Sequence, residues 1–214
     1  MYHVINRGVG RMTLFETDGD YNAFERVLAE TQRQIGMRLL GWSVMPNHWH
    51  LVLWPREDGE LGRFMQRLTI THVRRWQEHR HRVGEGHIYQ GRYKSFPVED
   101  EAYLVSAIRY VERNALRAGL VERAEDWPWC SLWQWVNRRR SLEDVPELSD
   151  WPIDRPRNWA QRVNQPESQE ELDALRRCVQ RGQPLGSVGW VESVTKLMGL
   201  ESTFRRRGRP RKDA

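Results

Sequence analysis

Two histidines, His48 and His50, stand one residue apart in the apolar, β-prone run Met45-Pro46-Asn47-His48-Trp49-His50-Leu51-Val52-Leu53. On a strand, successive side chains point to opposite faces, so the two imidazoles share one face and Trp49 takes the other. The rise per residue sets them roughly 6.6 Å apart along the chain, close enough to reach one divalent ion together. The chemistry this offers is a two-point metal site; the plainer alternative is a pair of solvent-facing histidines at a strand start. The string His79-Arg80-His81 serves as a control. It falls near a helix end, where residues two apart diverge by roughly 200°, and it cannot chelate in the same way.

A second constellation is Tyr110 and Asn114, four apart in a segment that reads as helix, so that phenol and carboxamide share one face. Alone they could be a half-buried tyrosine and a polar residue near a helix end. Beside the histidines they fit metal-assisted chemistry on a phosphodiester, which needs a Lewis acid on a non-bridging oxygen and a nucleophile in line with the leaving oxygen. His48, His50 and the amide oxygen of Asn114 make a mixed nitrogen and oxygen set that suits magnesium or manganese. Tyr110 would be the nucleophile. A free tyrosine has a pKa of about 10, so the site must help it lose its proton. Tyr103, one heptad earlier, has Ala107 where an asparagine would stand and ranks behind it.

The elements that must position these residues read in the order β-α-β-β-α-β-α. Strands are expected at Tyr2–Asn6, Met37–Met45, His48–Trp54 and Ser95–Val98, and helices at Asp20–Ile35, Glu60–His81 and from Asp100 to about Ala118. Gly36 and Gly119 are helix stops. That order predicts an α+β, ferredoxin-like split β-α-β core with an antiparallel sheet, over residues 1–122. A helical C-terminal extension would follow over 123–200. It holds a short aromatic helix from Trp127 to about Val136, a Pro-rich irregular stretch from Arg138 to Pro166, and helices at Ser168–Arg181 and Val188–Met198. A basic, DNA-binding tail would occupy 201–214.

The net charge is +5 in 214 residues, but its distribution says more than its sum: residues 63–82 carry +5 and residues 201–214 carry +4. Clustered positive charge balanced by acid elsewhere is the footprint of a polyanion site. Arg63, Arg67, Arg74 and Arg75 on the long helix, and Arg207, Arg209, Arg211 and Lys212 in the tail, are the expected phosphate contacts. Arg207-Gly208-Arg209-Pro210 has the pattern of a minor-groove arm. A solvated helix face and a simple solubilising tail are the plainer alternatives. The only cysteines, Cys130 and Cys178, are far apart and exclude a disulfide framework. No apolar run is long enough to span a bilayer, and a cytoplasmic, nucleoid-associated protein is expected.

These linked motifs resemble the REP-associated tyrosine transposases, within the single-tyrosine HUH nucleases and transposases. His48-Trp49-His50 matches the family's His-hydrophobic-His element in the context Met45-Pro46-Asn47, and Tyr110 to Asn114 matches Tyr-x-x-x-Asn. Tyr2-His3-Val4, Asn6-Arg7-Gly8, the segment Ala115–Val121 and Arg207-Gly208-Arg209-Pro210-Arg211-Lys212 also fit, although Ala115 stands where proline is common. The resemblance implies a site-specific single-stranded DNA endonuclease and strand transferase that acts beside palindromic hairpin repeats. Its tyrosine would form a 5′-phosphotyrosine link and free a 3′-hydroxyl that can later rejoin the strands. A domesticated hairpin-binding protein without catalysis is the second reading, and a water-using metal phosphodiesterase the third. The long extension favours a monomer over a homodimer.

Overall fold

The computed structural model describes residues 1–100, 102–137 and 144–205. Its core runs β1 (Tyr2–Arg7), α1 (Asp18–Ile35), β2 (Arg38–Met45), β3 (His48–Trp54), α2 (Glu60–His79), β4 (Lys94–Pro97) and α3 (Ala102–Glu112). The strands form one sheet in the order β2-β3-β1-β4, every neighbour antiparallel. The chain is α+β, as its element order implies.

Helix α1 starts where Thr17 and Asp20 form a reciprocal capping box and stops at Gly36, which is left-handed at φ 81°. Tyr21, Phe24, Val27, Leu28 and Thr31 line one face of it and are buried. α1 and α2 pack together on one side of the sheet, where Trp49 stacks on Phe24 at 5.7 Å between ring centroids. On that side the Trp49 indole donates to the Tyr89 hydroxyl at 2.9 Å, and Tyr89 Oη lies 2.6 Å from His72 Nδ1. The hydroxyl thus bridges the Trp49 indole and His72, which burial holds neutral with a pKa of about 3. Tyr89→Phe would leave both an indole N–H and an imidazole nitrogen unpaired in the core, and is expected to lower stability by about 1–3 kcal/mol in thermal unfolding.

The other side of the sheet takes α3. Gly41 in β2 permits the approach, because a Cβ there would lie 3.1 Å from Ile108. The tyrosine-bearing segment is not one helix to Ala118. It pauses at Arg113 before the single turn α4 (Asn114–Arg117). The Tyr110 carbonyl at the pause accepts from the Arg117 guanidinium at 2.9 Å.

The extension contributes α5 (Ser131–Val136), α6 (Trp159–Asn164), α7 (Gln169–Arg181) and α8 (Val188–Met198). The aromatic helix starts later than its sequence suggests. Pro128 disfavours helix at Trp127, and this stretch pairs instead with the edge strand β2: Val44 N–H donates to Trp129 C=O and the Trp127 indole to Val44 C=O, both at 2.9 Å. Further along β2, Ser149 N–H donates to Leu39 C=O and the Trp151 indole to Leu40 C=O, each at 2.9 Å. The opposite edge, β4, is met by Leu185, whose N–H reaches Pro97 C=O at 2.9 Å. The stretch expected to be irregular contains α6. Six residues are too few to show a period, yet Trp159 and Val163, four apart, are fully buried. One hydrophobic cluster runs from the sheet through Cys130, Leu132, Trp151, Trp159, Leu175 and Leu185.

Candidate active site

The pleat of β3 places His48 and His50 on the α3 side, with ring centroids 5.0 Å apart. In the antiparallel register Arg7 pairs with His48 and Ile5 with His50, so His3, Ile5 and Arg7 share that face. His48 Nδ1 lies 2.6 Å from Asn47 Oδ1, an acceptor, so Nδ1 carries the proton and Nε2 keeps its lone pair. That Nε2 is 3.4 Å from the Asn114 amide nitrogen. Turning the amide over would present its oxygen instead. His50 Nδ1 is 2.9 Å from His3 Nε2 in the core. With His50 as donor, its own Nε2 is free to ligate and the His3 proton moves to Nδ1, a buried atom with no other partner among the described residues.

Burial holds these imidazoles neutral. It takes His3 and His48 down to about 3, with Arg7 and then Arg117 adding to the effect on His48. For His50 burial again comes first, followed by His3, His48, Arg117 and Arg7. Neutral imidazole with a fixed tautomer is the form that binds metal. The donor set therefore fits a divalent ion held by His48, His50 and Asn114, although no group of three or more His, Cys, Asp or Glu is assembled for one among the described residues.

Tyr110 closes the site from α3. Its ring centroid is 6.0 Å from that of His50 and 6.3 Å from that of His3, and Arg117 Cζ lies 4.1 Å over its ring. Behind it, the fully buried Glu112 accepts from Ser131 Oγ at 2.5 Å and from the Trp159 indole at 2.6 Å. Burial raises its pKa against Arg155, Ser131 and Trp159.

The four chemical positions read from the sequence thus converge. His3, Arg7 and Arg117 were given no role there, though two signals point to them: the period of two along β1, and the seven-residue step from Tyr110 to Arg117. The basic helix residues do not join the site. Arg67, Arg74 and Arg75 line a groove between α1 and α2, on the far side of the sheet. Arg75 is held bidentately by Glu30 at 2.7 and 3.1 Å, Arg74 meets Glu78 at 3.7 Å, and Arg63 meets Glu57 at 2.5 Å. Arg207, Arg209, Arg211 and Lys212 lie outside the described residues. A larger open groove of about 850 Å³ runs between α2 and the loop before β4, with Asn6, Tyr89, Tyr93, Arg74 and Arg92 among its walls.

A family model described as "Transposase IS200 like" matches residues 1–114, and the chain belongs to that family. It is similar to a Haemophilus influenzae strain Rd protein described as a REP-associated tyrosine transposase, with 25% identity over 141 residues, covering 62% of this chain and 77% of that protein. Among solved structures, one of a REP-associated tyrosine transposase bound to a REP hairpin is 17% identical, with a TM-score of 0.48 over 72% of this chain and 90% of that one. A Deinococcus radiodurans R1 protein described as a transposase is 18% identical, with a TM-score of 0.39 over 66% and 91%. Among the described residues no helix is long and apolar enough to cross a membrane.

Proposed function

We propose that this transposase cuts and rejoins single-stranded DNA at the foot of a palindromic hairpin, with Tyr110 as nucleophile and magnesium or manganese held by His48, His50 and Asn114. The observation that carries the reading is the meeting of two sequence-distant pairs: His50 and Tyr110, sixty residues apart, have ring centroids 6.0 Å from each other. When bound, the ion supplies Lewis-acid stabilisation of charge on a non-bridging phosphate oxygen. Tyr110 Oη attacks phosphorus and the bond to the 3′ oxygen breaks. The phenol gives up its proton, the 3′ oxygen gains one, and the downstream strand stays linked through a 5′-phosphotyrosine. Attack by a 3′-hydroxyl reverses the step without outside energy, since one phosphoester replaces another. Buried, neutral imidazoles keep the ligand set ready at physiological pH. The basic tail 201–214 supplies salt-sensitive affinity for the phosphate backbone. The chain acts as a monomer, because its own extension packs the tyrosine helix.

The test uses a library of 3′-labelled hairpin oligonucleotides with randomised single-stranded feet, incubated with the full chain and magnesium or manganese. A labelled protein–DNA adduct that survives denaturation is expected, and chelator should abolish it. Cleavage without an adduct would point to hydrolysis by water. Chelator-insensitive binding with no cleavage would favour a hairpin-binding protein.

A further inference from the structure

The tyrosine-bearing segment is gripped by the extension. Arg109, Arg113 and Arg117 recur every four residues, so they line one helical face. Arg109 donates to three consecutive-region carbonyls, Arg162 at 3.0 Å, Gln165 at 2.7 Å and Pro166 at 3.0 Å. Arg113 donates to Val163 C=O at 2.9 Å. The two lower rungs share one carboxylate: Glu167 lies 3.1 Å from Arg113 Nε and 2.8 Å from Arg117 Nη1. Its side chain is only 5% exposed, and those of Arg113 and Arg117 are 13% and 18% exposed. Fixed in this way, Arg117 spends its other terminal nitrogen on the Tyr110 carbonyl at 2.9 Å and lays its guanidinium over the Tyr110 ring at 4.1 Å. Arg113 precedes, and Arg117 ends, the single helical turn that starts at Asn114.

From this arrangement we propose that Glu167 is a positioning residue for strand transfer: through Arg113 and Arg117 it fixes the ring of Tyr110 and the turn that carries Asn114, so the extension completes the active site in cis. Glu167 touches neither substrate nor reacting atoms. A single-turn helix has little stability of its own, and a ring over which a guanidinium is planted has one favoured orientation. A group misplaced by about 1 Å can lower a rate on the order of 10²-fold. The inference rests on Tyr110 being the nucleophile.

The test compares Glu167→Ala and Glu167→Gln with the wild-type full chain. Single-turnover adduct formation on the hairpin library, below the melting temperature of each variant, should fall on the order of 10²-fold in Glu167→Ala, with hairpin affinity unchanged. Glu167→Gln keeps an acceptor oxygen and should lose less. A second measurement needs no activity: in protein carrying 3-fluorotyrosine, the Tyr110 fluorine resonance, assigned by its loss in Tyr110→Phe, should shift or broaden in Glu167→Ala. A folded Glu167→Ala protein with wild-type rate and an unmoved resonance would overturn the proposal. If the wild-type protein forms no adduct with any library member, the proposed reaction fails, and the resonance alone decides whether Glu167 orients the ring.

Discussion

Tyr110→Phe is expected to abolish the covalent DNA adduct, lowering its rate of formation by at least about 10⁴-fold, the scale seen when a nucleophile is removed from an enzyme. The substitution is clean. The residue is 8% exposed and its ring packs among His3, His50 and the Arg117 guanidinium. Among the described residues no hydrogen bond ends on its hydroxyl, so phenylalanine keeps every packing contact and leaves no orphaned partner. Melting temperature and hairpin affinity should stay near wild type while strand transfer disappears. A denaturing gel on matched hairpin oligonucleotides reads this directly. An adduct of undiminished yield would place the nucleophile elsewhere, with Tyr103 the next phenol along the helix.

The second large effect is on stability in acid. His3, His50 and His72 are buried and held neutral, their pKa values pushed below the ordinary value of 6.5 by burial above all. Below pH 6.5 the unfolded chain takes up protons that the folded chain refuses, so stability falls as pH falls. One such group costs about 1.4 kcal/mol per pH unit, so three together cost roughly 4 kcal/mol per unit. Against a typical total of about 5–15 kcal/mol, native structure should be lost within roughly one to four units below pH 6.5. Circular dichroism along a pH titration would locate the transition, and potentiometry should record uptake of at least three protons across it. A native spectrum retained to pH 2 would show that these histidines protonate inside the fold.

Much of this site is legible in the sequence because its chemistry rides on regular periods. The two-residue step of β3 puts His48 and His50 together, and the four-residue step of the helix does the same for Tyr110 and Asn114. Gly36 and Gly119 announce the ends of helical segments, and both are left-handed in the structure. What is hidden depends on contacts between distant segments. Nothing near His3 says that its Nε2 will meet His50, and nothing near Glu167 says that two arginines some fifty residues earlier will close on it. The basic residues of α2 show the reverse limit. Charge density is visible in a sequence, but which side of the sheet it reaches, and which acids already hold it, is not.

The pairing of both sheet edges by the extension has a consequence for how the molecule is made. Strand β2 meets Ser131, Ser149 and Trp151 across separations of 89, 110 and 111 residues. During synthesis, Leu39 to Val44 therefore emerges long before the residues that cap it, as a hydrophobic strand with a bare flank. Contacts of that sequence separation are slow to form, and an unpaired strand edge is where nascent chains stick to one another. The segment that steadies the tyrosine helix in the finished protein thus comes from the same late stretch of chain that ends the period of greatest exposure on the ribosome.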